Sequence, residues 1–325
     1  MSYIFNYFCN RNADTTYCMN EKNYKAHLAI LITNIIFGIN IAISKNVMQE
    51  YLNPFSLTFI RMIGACLIFW IASFCLKNDK IERKDFPFVF LAALFGIFIN
   101  QFSFIQGLSS ASSINASIIV TFTPIMTMLV SFLFLKEPIT WKKVIGVLMG
   151  ATGAIMLVIT SHSDISNTEG SIWGDIFCFV SCLAYAIYLT RFRWLIEKYH
   201  PITLMKWMFL FASIIGLPFC YNSISTVNFG AIPSEAYLKI AYVVIGATFV
   251  TYLLIPIGQR SLRPTTLTMY NYLQPLITTC IAVFFGLGTF GFVKTFAAIL
   301  IFSGVYVVMK SKSRMQMEKE KRENR

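Results

Sequence analysis

The chain has 325 residues, of which 56% are hydrophobic and only 13% charged, with 31 Phe and a net charge of +12. The charged fraction is about half that of an ordinary soluble domain, which excludes a soluble globular enzyme. The basic residues fall in short clusters between apolar runs. Clusters of that kind read as cytoplasmic loops of a membrane protein rather than as a nucleic-acid surface.

Residues 1–24 read as a polar, cytoplasmic N-terminal extension. They lack the basic-then-apolar pattern and small-residue cleavage site of a signal peptide. Met19 opens MNEKNYKAHLAIL just ahead of the first apolar run, so residues 1–18 read as an upstream extension. Ten apolar segments follow, at roughly 26–46, 55–76, 86–107, 113–135, 143–160, 171–190, 202–220, 236–257, 264–286 and 293–310. Each is near the ~20 residues needed to cross a hydrocarbon core about 30 Å thick. They are numbered here as spans 1 to 10. Residues 311–325 form a charged, solvated cytoplasmic tail whose basic character suits anionic lipid.

With the N-terminus inside, inward segments hold most of the 27 Lys and Arg, while outward connections and span edges hold Lys45, Lys239 and Lys294. Both termini are therefore expected on the cytoplasmic side. The eight Cys are scattered, and Cys178 and Cys182, one turn apart, have no His or acidic residue at ligand spacing. They read as small residues of membrane helices, and neither a metal site nor a cofactor is expected.

Sliding the sequence on itself to place Pro124 on Pro275 also places Thr127 on Thr278 and Gly153 on Gly304. A similar shift brings Asn53-Pro54 over His200-Pro201. Two copies of an odd number of spans must run in opposite senses. The expected fold is thus an all-α integral membrane protein, ten transmembrane helices as two inverted five-helix repeats at 25–160 and 171–310. Inverted repeats commonly carry a solute site near the midplane between their halves.

The residues become specific at this point. Phe37-Gly38-Ile39-Asn40 followed by Lys45, Pro54 followed by Arg61, Pro124 followed by Lys136-Glu137-Pro138, and LAYAIYLTR at 183–191 form a set. Over residues 24–312 the chain resembles the EamA-type branch of the drug/metabolite transporter superfamily, ten-helix carriers with two repeats. The resemblance implies a cavity lined by spans 1, 3, 4, 6, 8 and 9, and a homodimer surface on spans 5 and 10. It departs in one place: the position matching Glu137 in the second repeat is Gly288.

Translocation needs polar groups facing a watery path, because polar groups facing lipid are costly. The substrate-binding candidates are Asn40, Asn100, Gln101, Asn115, Thr121, Tyr185, Tyr188, Tyr252, Tyr270, Asn271 and Gln274. Pro124 and Pro275 deprive the carbonyls of Val120 and Asn271 of their helical donors, marking two hinge candidates. Lys45, Arg61 and Glu137 are gate or structural charges. Pairing of Arg61 with Glu50 ranks ahead of a role at an anionic substrate, and Glu137 is expected in an ion-pair network with Lys136, Lys142 and Lys143. Gly146, Gly150 and Gly153 favour close helix packing on span 5.

No acidic residue or histidine falls at mid-depth in any span, so no catalytic residues are assigned and a carboxylate or histidine proton relay is not supported. No phosphate-binding G-x-x-x-x-G-K-[ST] loop is present either. The leading reading is a secondary transporter of a small organic solute (amino acid, metabolite or amphipathic drug) in a bacterial cytoplasmic membrane, working by alternating access. A lipid-modifying intramembrane enzyme and a non-transporting sensor or structural protein are the alternatives. Expected partners are the solute and the lipid bilayer, with no nucleic acid.

Overall fold

The computed structural model describes residues 15–75, 79–111, 113–161, 171–284 and 291–311. Among these it is helical throughout, and nine helices are long and apolar enough to cross a membrane. The tenth apolar segment is present but divided. Span 9 comprises a helix at Pro264–Met269, a 3₁₀ turn at Tyr270–Tyr272 and a helix at Leu273–Phe284. Span 4 is divided in the same way, into Ser113–Thr121 and Thr123–Leu135.

Local sequence explains several boundaries. Span 2 (Pro54–Cys75) starts on a proline at its first position, where the missing N–H costs nothing. Asn53 caps it, its Oδ1 accepting from Ser56 N at 2.9 Å. Span 7 (Pro201–Ser225) opens on the matching proline of the other repeat. Span 4 ends at Lys136, whose φ of 51° is the left-handed turn that commonly closes a helix.

Spans 3 and 8, equivalents in the two repeats, share a feature that composition does not announce. Each contains a π-helical stretch, Leu94–Ile99 in span 3 and Tyr242–Val250 in span 8. A π turn shifts the register of every side chain after it and is often found beside functional sites.

The packing pattern displays the internal symmetry. Span 5 (Trp141–Ser161) packs on span 10 (Phe292–Met309), and span 2 packs on span 7. Span 3 lies against span 6 (Ile172–Arg191), as span 8 lies against span 1 (Thr15–Glu50). Span 4 meets span 6, as span 9 meets span 1. Exchanging the members of each repeat maps this set of contacts onto itself, as a pseudo-twofold axis requires.

The glycines of span 5 serve that symmetry within one chain. A Cβ on Gly146 would stand 2.7 Å from the Gly304 carbonyl oxygen, and one on Gly304 would stand 2.5 Å from that of Gly146. Gly153 approaches the Ala297 carbonyl equally closely. Backbone therefore meets backbone along the seam between spans 5 and 10. The opposite faces present exposed Trp141, Ile145, Phe292 and Phe296, as lipid-facing surface should.

Candidate functional site

Two adjoining hollows occupy the middle of the bundle, with volumes of about 100 and 170 Å³. They share Ile41, Phe104, Val120, Asn271 and Gln274 as wall. The inner hollow takes residues from spans 1, 2, 3, 4, 6, 8 and 9, so both repeats build it. Span 2 was not expected there; it enters through Arg61.

Of the expected solute contacts, Asn40, Asn100, Gln101, Tyr185, Tyr252, Asn271 and Gln274 line the inner hollow. Thr121 lines the second hollow together with Lys45 and Pro275. Two candidates lie elsewhere. Tyr188 is fully buried in packed core, its ring filling the space left by the missing side chain of Gly96. Tyr270 turns away to bond His27, Oη to Nδ1 at 2.7 Å. The side chain of Asn115, and Gly288 with it, lies outside the described residues. The walls also include Phe37, Ile41, Phe104 and Ile255, apolar residues indistinguishable by type from the core around them.

The polar wall is held in place by bonds between spans. Asn100 Nδ2 donates to the Ser181 carbonyl at 3.1 Å, and Ser181 Oγ donates back to the Asn100 carbonyl at 2.9 Å. Tyr252 Oη donates to the Gly96 carbonyl at 3.0 Å. The π turn of span 3 carries that carbonyl. Within span 1, Asn40 Oδ1 accepts from Ser44 Oγ at 3.1 Å.

Arg61 does not take the expected partner. Its Nε donates to Thr248 Oγ1 at 3.1 Å, in the π-helical stretch of span 8, not to Glu50. Glu50 instead accepts from Asn46, one turn away at the exposed end of span 1. The reason is geometric: Arg61 sits about 10 Å along span 2 from Pro54, at 1.5 Å per residue, and points into the bundle.

The breaks in spans 4 and 9 fall just before the prolines rather than at them, at Phe122 and at Tyr270–Tyr272. Thr123 Oγ1 donates to the Val120 carbonyl at 2.6 Å, restoring a partner to the acceptor that Pro124 leaves without a helical N–H. Glu137 joins the expected lysine cluster through one member, Lys143, at 2.8 Å, with Lys143 almost wholly buried.

Span direction tells which way the hollows lead. The second hollow steps from Ile41 to Lys45 on span 1, from Phe104 to Leu108 on span 3 and from Asn271 to Thr279 on span 9. All three lead away from the end of the bundle that bears residues 24 and 311. At that terminal end the halves are tied together. Lys198 Nζ bonds Asp85 Oδ2 and Glu82 Oε1, both at 2.6 Å, and Tyr199 Oη bonds Asp85 Oδ2 at 2.5 Å. Within the second half, Arg260 Nη2 donates to the Tyr199 carbonyl at 2.8 Å, fixing the loop that carries this tie. The Lys198 and Lys84 bonds hold the Glu82 carboxyl below its ordinary range, and its acidic neighbours push Lys198 up.

The same two halves are found by comparison with known proteins. The model of the EamA-like transporter family matches this chain twice, at residues 24–159 and 172–310. The chain belongs to the EamA-like transporter family. Relatives agree with that placement. An uncharacterized transporter of Archaeoglobus fulgidus is 29% identical over 63% of this chain and 70% of its own length. Uncharacterized transporter YyaM of Bacillus subtilis is 21% identical over 91% and 99%. The S-adenosylmethionine uptake transporter of Rickettsia bellii is 21% identical over 84% and 91%. A solved crystal structure superposes with a TM-score of 0.70 over 89% of this chain and 97% of that one, at 17% identity, which shows the fold. This EamA-like chain is an integral membrane protein and a membrane transporter.

Proposed function

We propose that this chain moves a small organic solute across a bacterial cytoplasmic membrane by alternating access between its two inverted halves. One observation carries the reading. The hollow is built by both repeats, leads toward one end of the bundle, and is tied at the other by bonds that cross between repeats, from Lys198 and Tyr199 to Glu82 and Asp85. A carrier caught facing one side has this form, and rocking of one half against the other would exchange the two ends. The distribution of Lys and Arg favours the terminal end as the cytoplasmic one. The solute site is then Asn40, Asn100, Gln101, Tyr185, Tyr252, Asn271 and Gln274, with the divided spans 4 and 9 as hinges.

The Rickettsia relative is named for a small organic metabolite, a solute class that suits a wall of amide and aromatic side chains. Any homodimer would use the aromatic outer faces of spans 5 and 10, since their glycine faces meet each other. The deciding experiment is a thermal-shift screen of metabolites on the purified chain, followed by counterflow in proteoliposomes with each stabilising compound. Exchange of a labelled compound above protein-free vesicles supports the reading. Stabilisation without any exchange, across every hit, removes it.

A further inference from the structure

Arg61 is 3% exposed, and its Nε donates to Thr248 Oγ1 at 3.1 Å. Its Nη1 is buried with no partner, and Arg61 is part of the wall of the inner hollow. Among the described residues no carboxylate pairs with Arg61, and no acidic residue lines either hollow. An arginine in a protein interior stays charged, and a charge out of water without a counter-ion is strongly destabilising. Natural membrane proteins keep such a cation where something pairs with it during function.

A second orphan stands in the same wall. Gln101 is 3% exposed beside the Tyr252 hydroxyl, and neither its Oε1 nor its Nε2 reaches a partner in good hydrogen-bond geometry. Most buried amides in native proteins are satisfied, so a donor and an acceptor left open beside a cavity mark groups reserved for a ligand. Together the two side chains present a cationic N–H, a neutral N–H and a carbonyl oxygen.

We infer that the transported solute carries one carboxylate, that Arg61 is its counter-ion, and that Gln101 hydrogen-bonds the same end of the molecule. The inference rests on the transporter reading above and names the substrate class for that site. A guanidinium and a carboxylate form a charge-assisted pair of matching geometry. The Gln101 amide has donor and acceptor capacity for the second carboxylate oxygen and for a neighbouring amine or hydroxyl. Phe37, Phe104, Tyr185 and Tyr252 face the remainder of the solute. A phosphate dianion would call for a second cation in the inner hollow, whose wall holds Arg61 alone among Lys and Arg.

The test uses the purified full chain and matched probes: free amino acids, short hydroxy acids, their carboxamides and inorganic phosphate. Expected is a rise in melting temperature with particular carboxylates and none with the matched carboxamides. Arg61→Gln should lose that shift, and Arg61→Lys should keep part of it. Gln101→Leu, which leaves Arg61 and its bond to Thr248 in place, should weaken the same compounds by about tenfold, and serves if Arg61→Gln does not fold. Equal stabilisation by carboxamides, preference for phosphate, no stabilising carboxylate, or an unchanged response in Arg61→Gln overturns the inference. Counterflow separates it from the reading beneath it. A neutral solute exchanged by both wild type and Arg61→Gln sinks the carboxylate inference and leaves transport standing. Arg61-dependent binding with no exchange does the reverse.

Discussion

Gln274 Nε2 donates to Asn34 Oδ1 at 2.9 Å, joining span 9 of the second repeat to span 1 of the first. Asn34 in turn donates to the Ile30 carbonyl one turn back, so the pair is anchored on the terminal side of the hollow. Gln274 thus serves two purposes, facing the solute space and tying the halves together.

Replacing Gln274 by Ala is expected to reduce solute exchange at least tenfold while the protein still elutes as a folded species. Loss of a buried hydrogen bond costs about 1–3 kcal/mol, so a modest fall in melting temperature should accompany it. Asn271→Ala, which removes a wall residue without breaking the tie to Asn34, should reduce exchange with a smaller thermal effect. Wild-type exchange in both variants would remove span 9 from the site.

Lys143 is nearly inaccessible, and its ammonium bonds Glu137 Oε2, whose side chain keeps 13% exposure. Glu137→Gln strands a buried charge and should cost about 3–5 kcal/mol. Lys143→Met removes the charge that needs burying and should cost clearly less. The double variant should recover stability relative to Glu137→Gln alone, a comparison that detergent-solubilised melting curves can make directly.

The tie at the terminal end should respond to charge reversal before it responds to pH. Lys198→Glu is expected to raise the rate at which a cysteine placed at Ser181 reacts with a polar thiol reagent added from that end. Adding Asp85→Lys to it should restore part of the protection. Glu82 has a depressed pKa in the tied state, so its contribution is complete above the ordinary carboxylate value of about 4 and is lost as pH falls through the lower, tied-state value. Labelling should therefore stay flat between about pH 5 and 8 as far as this carboxylate is concerned. A steep rise within that window would show that another group controls closure.

Gly304→Ala should destabilise the chain although alanine suits a helix better than glycine. The added Cβ meets the Gly146 carbonyl and the Gly150 backbone nitrogen, atoms that cannot swing aside. Overpacking of this kind costs about 1–3 kcal/mol, to be read as a lowered melting temperature. At Gly291, the N-cap of span 10, an added Cβ meets nothing within 4 Å, so the same substitution should cost only the loss of a preferred cap residue, less than at Gly304.

Much of this architecture was legible because its signals are local. Pro54 and Pro201 mark the starts of spans 2 and 7 by their fit to the first helical position, with Asn53 adding a cap to span 2, and apolar run length supplies the other spans. The paired prolines pointed to spans 4 and 9, although each break lies a few residues earlier, where backbone geometry rather than residue type decides. The π turns left no trace, since a register shift changes no composition. Tyr188 and Tyr270 were read with Tyr185 and Tyr252 because a tyrosine suits a cavity wall or a packed core equally well. Which it takes depends on a neighbour such as Gly96 or His27, far away in sequence. Arg61 illustrates the same limit: its burial was foreseeable, but its bond to Thr248 crosses between repeats.

The seam at Gly146 and Gly304 has a consequence for inheritance. Every amino acid other than glycine carries a Cβ, so at these two positions no missense codon is conservative, however small the residue it specifies. Elsewhere the two repeats have drifted until few identities remain between them. Here two backbones touch with nothing between them, and a descendant of this chain can change one side only by moving the other.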